Sequence, residues 1–517
     1  MKIVIHQIKT HIEQTLTKRE IAKKIKLSEK DIYSFRISKR SLDAREGLYY
    51  SYSVIADIKP NQSVYRLKDV SLYKPSNFTI PKVNYPTHPI IIGFGPAGLF
   101  AALALAHAGC QPIVFEMGQS IDIREKDVET FLTTRQLNTL SNIQYGEGGA
   151  GTFSDGKLTC RIKDERIPWI LQQFVDAGAK ESILYDGYPH IGTDQLKVII
   201  PRLRQHIIDL GGQVHFNSQL NDIKVENNQL KAIQINTEWI PTSTCFLACG
   251  HSNHELYKQL LANGITIEQK DMAIGVRIEH PQSFINEARY HQYANSPLLE
   301  NASYNLTANH NGVGIYTFCM CPGGYIMASN CDKNTIVTNG MSFSKRDGNF
   351  ANAALLVQTS KTNYGSDHPL AGFDMVHALE KKAYELAGNN YDAPGITLTD
   401  FMHDRVIHPV NSTYSFNVVP TDLNQLFGND WVNHVKSALT QFDRKMPGYI
   451  QESAHMVAIE SKSSCPIRLT RNPISKESLT CDGLYPIGEG AGYSGGIISS
   501  ALDGLKSALT YIESLEN

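Results

Sequence analysis

Long apolar runs are nearly missing from these 517 residues. The exception, Pro89–Ala106, has the length of a membrane span. Yet Gly93, Gly95, Pro96 and Gly98 stand near its middle, where a spanning helix must be continuous. A buried strand turning into a buried helix accounts for the same letters. The opening MKIVIHQIKTHIEQ lacks the continuous apolar core of a secretory signal. An excess of charge of either sign is missing too. Lys and Arg number 49 against 51 Asp and Glu, a formal net charge of −2 with a sequence pI near 6.8. Nothing global therefore calls for nucleic acid or an anionic membrane. The nine Cys are odd in number and scattered, without the dense spacing of a disulfide scaffold. A reducing cytoplasm is the expected compartment. No internal repeat, low-complexity tract or heptad array is present.

What remains is a chain with 42 % apolar and 19 % charged residues, able to bury cores in two to four domains. Residues 1–80 read as a small α+β module of ferredoxin-like type. KIVIHQI is a strand, Thr10–Leu27 carries helical periodicity, and IYSFRIS and YYSYSVIADI are two further strands. Ser71–Pro86, with three prolines, reads as its linker. From His88 the pattern becomes α/β. HPIIIGFG is a buried strand, GPAGLFAALALAHAG a helix and QPIVFE a second strand. Asp194–Leu210 reads as a helix that Pro201 should kink or split. A meander of short strands follows, and STCFLACG is another buried strand. Residues 265–360 are strand-rich, 375–388 and 431–445 are helical, and the end returns to a strand, GLYPIGEG, and a last helix. The expected division is 87–261 and 446–517 as one dinucleotide-binding domain, with 262–445 inserted between its parts.

Gly93-Phe94-Gly95-Pro96-Ala97-Gly98 matches G-x-G-x-x-G and lies where that pattern has a mechanism, after a strand and opening a helix. Gly93 permits the tight turn, Gly95 lets the backbone approach a pyrophosphate, and Gly98 lets helix and strand pack closely. The helix N-terminus offers free N–H groups and positive dipole to the phosphates. Glu116, ending the next strand, is placed to accept hydrogen bonds from a ribose and to repel a 2′-phosphate. No second such fingerprint marks a separate nicotinamide-binding domain. Its far end instead carries Gly488-Glu489-Gly490-Ala491-Gly492 after a strand, and Ser494-Gly495-Gly496 opening the last helix. That pairing favours FAD over NAD. Glu489 could meet ribitol hydroxyls, and the helix N-terminus could stabilise negative charge on a reduced flavin.

On these stretches, and on YGEGGAGTFSDGKL, PHIGTD, CFLACGHS, AIGVRIEHPQ, FCMCPGGY, VTNGMS and GLYPIGEGAGYSGGI, the chain resembles the glutathione-reductase-like flavoprotein superfamily. Within it the chain is similar to the bacterial FAD-dependent, or NAD(FAD)-utilising, dehydrogenases. The resemblance runs from about residue 90 to the end. It implies an α/β fold with a glutathione-reductase-like FAD-binding Rossmann domain, an inserted strand-rich substrate domain and the small amino-terminal module. It further implies that Gly93, Gly95, Pro96, Ala97, Gly98 and Glu116 hold the ADP half of FAD. Gly148, Gly149, Thr152 and Ser154 would line the diphosphate and ribitol, and Leu220 would meet adenine through its backbone. Cys249 and Gly250 would occupy the strand end near the cofactor. Gly488, Glu489, Gly496 and Ile497 would close the flavin end.

The implied activity is that of an FAD-dependent oxidoreductase acting on a small-molecule substrate, with a nicotinamide donor, if one is used, binding transiently at the flavin. Candidates for catalysis are Cys321, Lys157 and Tyr493. Cys319-Met320-Cys321 reads as a redox pair, as metal ligands or as packing. It is neither the C-x-x-C of a dithiol oxidoreductase nor a four-ligand zinc spacing, so no metal is expected. Lys157 with Asp155 could orient substrate or form a structural ion pair. His190 and His251 could exchange protons near neutral pH, and Tyr493 could touch the isoalloxazine or pack. Two other functions compete. The cluster Arg36, Lys39, Arg40 and Arg45 could contact RNA, although a charge-protected strand edge explains it as well. A non-catalytic flavin-binding partner protein is the third reading.

Overall fold

Three consecutive isoleucines, Ile90–Ile92, form the middle strand of a five-stranded parallel sheet in the computed structural model, which describes residues 1–75 and 78–516. The strand order is Leu484–Pro486, Cys245–Leu247, Ile90–Ile92, Ile113–Phe115, Gln213–His215. Every neighbouring pair is parallel. Side chains alternate across a strand. Ile91 therefore enters the core made with helices Pro96–Ala108, Thr193–Asp209 and Ile497–Leu515, while Ile90 and Ile92 enter the core under the meander Leu220–Pro241. Covering both faces explains why this strand is apolar throughout rather than alternating. Helix Pro96–Ala108 is buried on almost every side. Its tight fit needs two glycines: a Cβ on Gly98 would lie 2.0 Å from the Gly93 carbonyl oxygen, and one on Gly504 would lie 2.1 Å from that of Ala97.

The inserted region builds a seven-stranded sheet ordered Thr307–His310, Val313–Cys321, Phe350–Thr359, Met272–Pro281, His455–Glu460, Ala393–Thr397, Val418–Pro420. Helices Ala371–Leu386 and Asn429–Lys445 contribute to its core. Strand His455–Glu460 pairs with Met272–Pro281, so this sheet extends past the expected boundary at residue 445. The amino-terminal sheet has the order Ile32–Asp43, Tyr49–Ile58, Lys2–His11, Val70–Leu72. One α-helix packs on it, Lys18–Ile25, and a 3-10 turn, Gln62–Arg66, stands where a ferredoxin-like module would have its second helix. The expected Thr10–Leu27 helix is shortened because Thr17 forms a capping box with Glu20, and the first strand runs on to His11. Pro201 does not split its helix, which runs unbroken from Thr193 to Asp209. Residues 76 and 77 of the expected linker, and residue 517, lie outside the described residues. No helix among the described residues is long and apolar enough to cross a membrane.

Two polar seams join these units. Arg40 of the amino-terminal module contacts Asp186 at 2.7 Å and exchanges backbone hydrogen bonds with Tyr185 and Gly187. At the second seam Asp155, buried beside the Gly148–Gly149 loop, accepts hydrogen bonds from Arg346 Nε at 2.9 Å and from Ser342 Oγ of the inserted region. Burial pushes the Asp155 carboxyl up, but the Lys157 and Arg346 charges and these hydrogen bonds hold it below its ordinary value. Asp194 accepts from the Ser344 amide and hydroxyl, both at 2.7 Å, close by. Replacing Arg346 with Ala strands a buried carboxylate and should cost about 3–5 kcal/mol in urea unfolding. The D155A/R346A double variant should lose less than the sum of its singles. A loss below about 1 kcal/mol for Arg346→Ala would show that the seam carries no weight.

Candidate functional site

The turn after Ile92 uses Gly93 at φ +94°, where a Cβ would lie 2.4 Å from the Ala248 carbonyl oxygen. Gly95 then caps helix Pro96–Ala108 with no side chain over the helix start. The first-turn amides and the positive end of the helix dipole are thus left for an anion. A second glycine loop lies against this turn. Gly148 and Gly149 adopt φ +80° and +62°, Gly148 N donates to Phe94 O at 2.9 Å, and a Cβ on Gly149 would stand 3.0 Å from Gly95 Cα. Glu116, 6 % exposed, ties the loops together by accepting from the amides of Phe94 (2.7 Å), Gly118 (3.0 Å) and Gly146 (2.9 Å). A carboxylate has about four acceptor positions, so one stays open for a further donor such as a ribose hydroxyl.

The fully buried Arg124, which the sequence gives no reason to notice, holds the second loop from beneath. Its guanidinium donates to the carbonyls of Asn142, Ile143, Glu147 and Gly149 at 2.6–3.0 Å. Thr152 Oγ1 donates to Glu147 O at 3.0 Å, and Ser154 Oγ closes the following turn through Gly151 O and Gly156 N. Leu220 opens the meander, buried opposite Ile235.

The carboxyl-terminal motif meets the same place. Gly488 abuts the first helix, where its Cβ would be 2.6 Å from Ala97 Cβ. Gly496 caps helix Ile497–Leu515, again without a side-chain hydrogen bond. A Cβ on Gly151 would lie 3.4 Å from Ile497 and 3.7 Å from Pro96, so both helix starts converge on this glycine loop. Tyr257, also unmarked in the sequence, joins the remaining segments by bonding Gly250 O and, at 2.9 Å, Gly490 O. Above Gly250 and Gly496, both at positive φ, a Cβ would meet nothing within 4 Å.

Glu489, between two of these glycines, is partly buried. Burial pushes its carboxyl up to about 7, with Lys270 opposing and the Cys319 thiol adding to the rise. His251 Nδ1 lies 3.9 Å from it, and burial drives that imidazole down to about 3, so the ring is neutral. His251 Nε2 is buried without a hydrogen-bond partner. Burial likewise pushes the Cys249 thiol up to about 11, and its sulfur lies 3.7 Å from Tyr257 Oη. The guanidinium groups of Arg471 and Arg468 lie over the Tyr493 ring, 3.8 and 5.2 Å from its centroid, and its hydroxyl accepts from Arg471 N at 3.2 Å. Arg471 pairs with Asp503 at 2.6 Å, and Asp503 accepts from Gly488 N at 2.8 Å, so Tyr493 braces the motif.

Lys157 bridges His190 through backbone, and its charge bears on Cys319 in the inserted sheet. Cys321 is buried beside Arg277. The structure therefore gathers the predicted glycines into one cradle, with Lys157, Cys319 and Cys321 on the side of the inserted sheet. Three residues of the amino-terminal basic cluster have partners within the chain. Arg40 pairs with Asp186 and lies over the Tyr50 and Tyr185 rings, Arg36 donates to Tyr73 Oη, and Arg45 pairs with Asp43. Asp332, His377 and Glu380 bring donor atoms within 4.8 Å of one another, but Lys462 Nζ, 3.0 Å from Glu380, already supplies the opposite charge there.

Comparison with known proteins adds three findings. Residues 271–463 match the family model "FAD-dependent protein, C-terminal domain-like", and residues 2–56 match a domain of unknown function. An uncharacterized protein of Clostridium beijerinckii is 40 % identical over 531 aligned positions, covering 100 % of this chain and 99 % of its own. Among solved structures, the tetracycline destructase Tet(51) aligns at 10 % identity over 84 % of this chain and 82 % of its own, with a TM-score of 0.35. A mutant of the halogenase PltM in complex with FAD aligns at 9 % identity over 82 % and 67 %, with a TM-score of 0.36. Likenesses at such TM-scores are weak.

The cofactor is FAD, and the residues present fit it. Two helix N-termini free of side-chain caps, the open space above Gly250 and Gly496, and the unpartnered His251 Nε2 are what a dinucleotide with a polar ring edge requires. Because the folded carboxyl of Glu489 titrates near 7 rather than 4.5, the native state keeps a proton that the unfolded chain releases. Stability from this group is therefore lost as pH rises from 4.5 to 7. Glu489→Gln should stabilise the apoprotein by about 1–2 kcal/mol at pH 8 and change little at pH 5. Equal thermal shifts at both pH values would contradict this.

Proposed function

Because the chain belongs to the family of the Clostridium beijerinckii protein and carries the domain of FAD-dependent proteins, we infer that it is an FAD-dependent oxidoreductase, a dehydrogenase or reductase of a small molecule. The observation that carries this reading is the convergence of two glycine-capped helix starts on the Gly148–Gly151 loop, with an inserted sheet bolted to the same loop through Asp155. In this reading the domain is glutathione-reductase-like. Bound FAD supplies the hydride chemistry. The chain's residues bind, orient and manage protons.

Gly93, Gly95, Pro96, Ala97, Gly98, Gly148 and Gly149 present backbone to the diphosphate, and Glu116 offers its remaining acceptor position to the ribose. Thr152 and Ser154 shape the adjoining loop, and Leu220 lies under adenine. Gly250, Gly488, Gly496 and Ile497 form the flavin end. Glu489, titrating near neutrality, can hold or release a proton there, while neutral His251 offers a hydrogen bond from a ring nitrogen. Lys157 places positive charge toward the inserted domain, where charge on a reacting substrate would be stabilised. Tyr493 keeps the carboxyl-terminal motif rigid. A nicotinamide donor would approach transiently, since no second fingerprint marks a separate domain for it.

The purified protein should show a flavin visible band that bleaches anaerobically on titration with NADH or NADPH. Gly95→Val, which fills the approach to the helix start, should weaken FAD binding at least tenfold while leaving the far-ultraviolet circular dichroism unchanged. A folded wild-type protein that neither carries nor takes up flavin would end this reading.

A further inference from the structure

Strand Val313–Cys321 pairs with Phe350–Thr359, with Phe318 opposite Ala354 and Cys321 opposite Asn352. Three steps on one strand meet two on the other, so a β-bulge lies between. Cys319 sits in it at φ +42°, a left-handed conformation uncommon for a residue with a Cβ. In a regular strand, side chains two residues apart share a face but stand about 7 Å from each other. A disulfide needs Cβ atoms about 3.8 Å apart. The bulge bends the strand at the place that would otherwise keep the two sulfurs separated. Cys321 Sγ reaches back to 3.4 Å from Cys319 O.

The surroundings are those of a reactive thiol with a shielded partner. Cys319 is partly exposed and Cys321 fully buried. Arg277, with no exposed surface, brings Nη2 to 3.0 Å from Cys319 O and 3.7 Å from Cys321 Sγ. Its Nη1 faces Glu460 Oε2 at 3.5 Å without a hydrogen bond, and Asn352 Nδ2 beside it is also unpartnered. A hydrogen bond from Cys321, then the Lys157 and Arg277 charges, pull the Cys319 thiol down against its burial. The same hydrogen bond and burial push Cys321 up. Burial pushes Cys331 and Cys465, by contrast, up to about 12 each. Arg277 Nη2 also packs against Gly340, two residues from Ser342, which donates to Asp155 beside the glycine loop, so the pair lies on the side of the inserted sheet that meets the dinucleotide cradle.

We propose that Cys319 and Cys321 form a redox-active dithiol that exchanges two electrons with the bound flavin, a step that rests on the FAD-oxidoreductase reading above. The Cys319 thiolate and the Cys321 thiol join through a new S–S bond, and the Cys321 S–H bond breaks. The two electrons and that proton pass to oxidised FAD, giving the anionic reduced flavin, so charge and hydrogen balance. Run backward, reduced flavin opens the disulfide.

The test uses the holoprotein. Oxidised by ferricyanide, then unfolded in guanidinium at pH 8 and alkylated with iodoacetamide, it should leave Cys319 and Cys321 unmodified in the peptide mass spectrum, and prior reduction with dithiothreitol should expose both. Anaerobic dithionite titration should consume four electrons per flavin in the wild type and two in Cys319→Ser and in Cys321→Ser. Full alkylation of both cysteines after oxidation, or a wild type saturating at two electrons with its flavin fully reduced, would overturn the proposal while leaving FAD binding intact. If the protein carried no flavin, the alkylation pattern would still report the disulfide, and exchange with flavin would be refuted along with the cofactor reading.

Discussion

The buried carboxylate of Asp155 is the contact on which the arrangement of the site depends. It lies three residues beyond Thr152 on the glycine loop, yet its partners, Ser342 and Arg346, belong to the inserted region. Removing two charges from water is costly, so such a pair persists only with good geometry and filled hydrogen-bond positions. Here Asp155 accepts from both the guanidinium and the hydroxyl. The Asp194–Ser344 contacts and the Thr193 amide bond to Ser342 O lie beside it. A Cβ on Gly192 would stand 2.3 Å from Ser344 N, so backbone meets backbone at this seam. The loop that approaches the first helix start and the sheet that carries Cys319 are consequently fixed to each other.

How much of this was legible follows from the kind of signal involved. The glycines at 93, 98, 488 and 496 announce themselves because the backbone must turn at positive φ or pass too close for a Cβ, requirements that few other residues meet. The Ile90–Ile92 strand and the alanine-rich helix were legible because burial on both sides removes every polar letter. Arg124 and Tyr257 were not. Each acts by reaching carbonyls distant in sequence, Arg124 those of residues 142–149 and Tyr257 that of Gly490, and no local pattern encodes such a reach. The run of the inserted sheet past residue 445 was hidden for the same reason, since His455–Glu460 pairs on one side with a strand almost two hundred residues earlier. The basic cluster at Arg36–Arg45 invites a polyanion on paper. Two of its partners, Asp186 and Tyr185, lie far along the chain.

Charge in the site is arranged in opposition. Lys157, Arg277 and Arg346 stand toward the inserted sheet, and two carboxyl groups, Glu460 and Glu489, are each pushed up to about 7 chiefly by burial. The Cys319 thiol raises both, and cations oppose the rise in each case, Arg277 at Glu460 and Lys270 at Glu489. Negative charge at Cys319 therefore favours protonation of both carboxyls, while its loss lets them ionise. In a buried region, where the effective dielectric is far below that of water, such coupling is strong. Electron transfer in either direction through this part of the molecule would be accompanied by proton uptake or release at groups already titrating near neutral pH. The net charge of the buried site would then change less than the charge on its reacting sulfur.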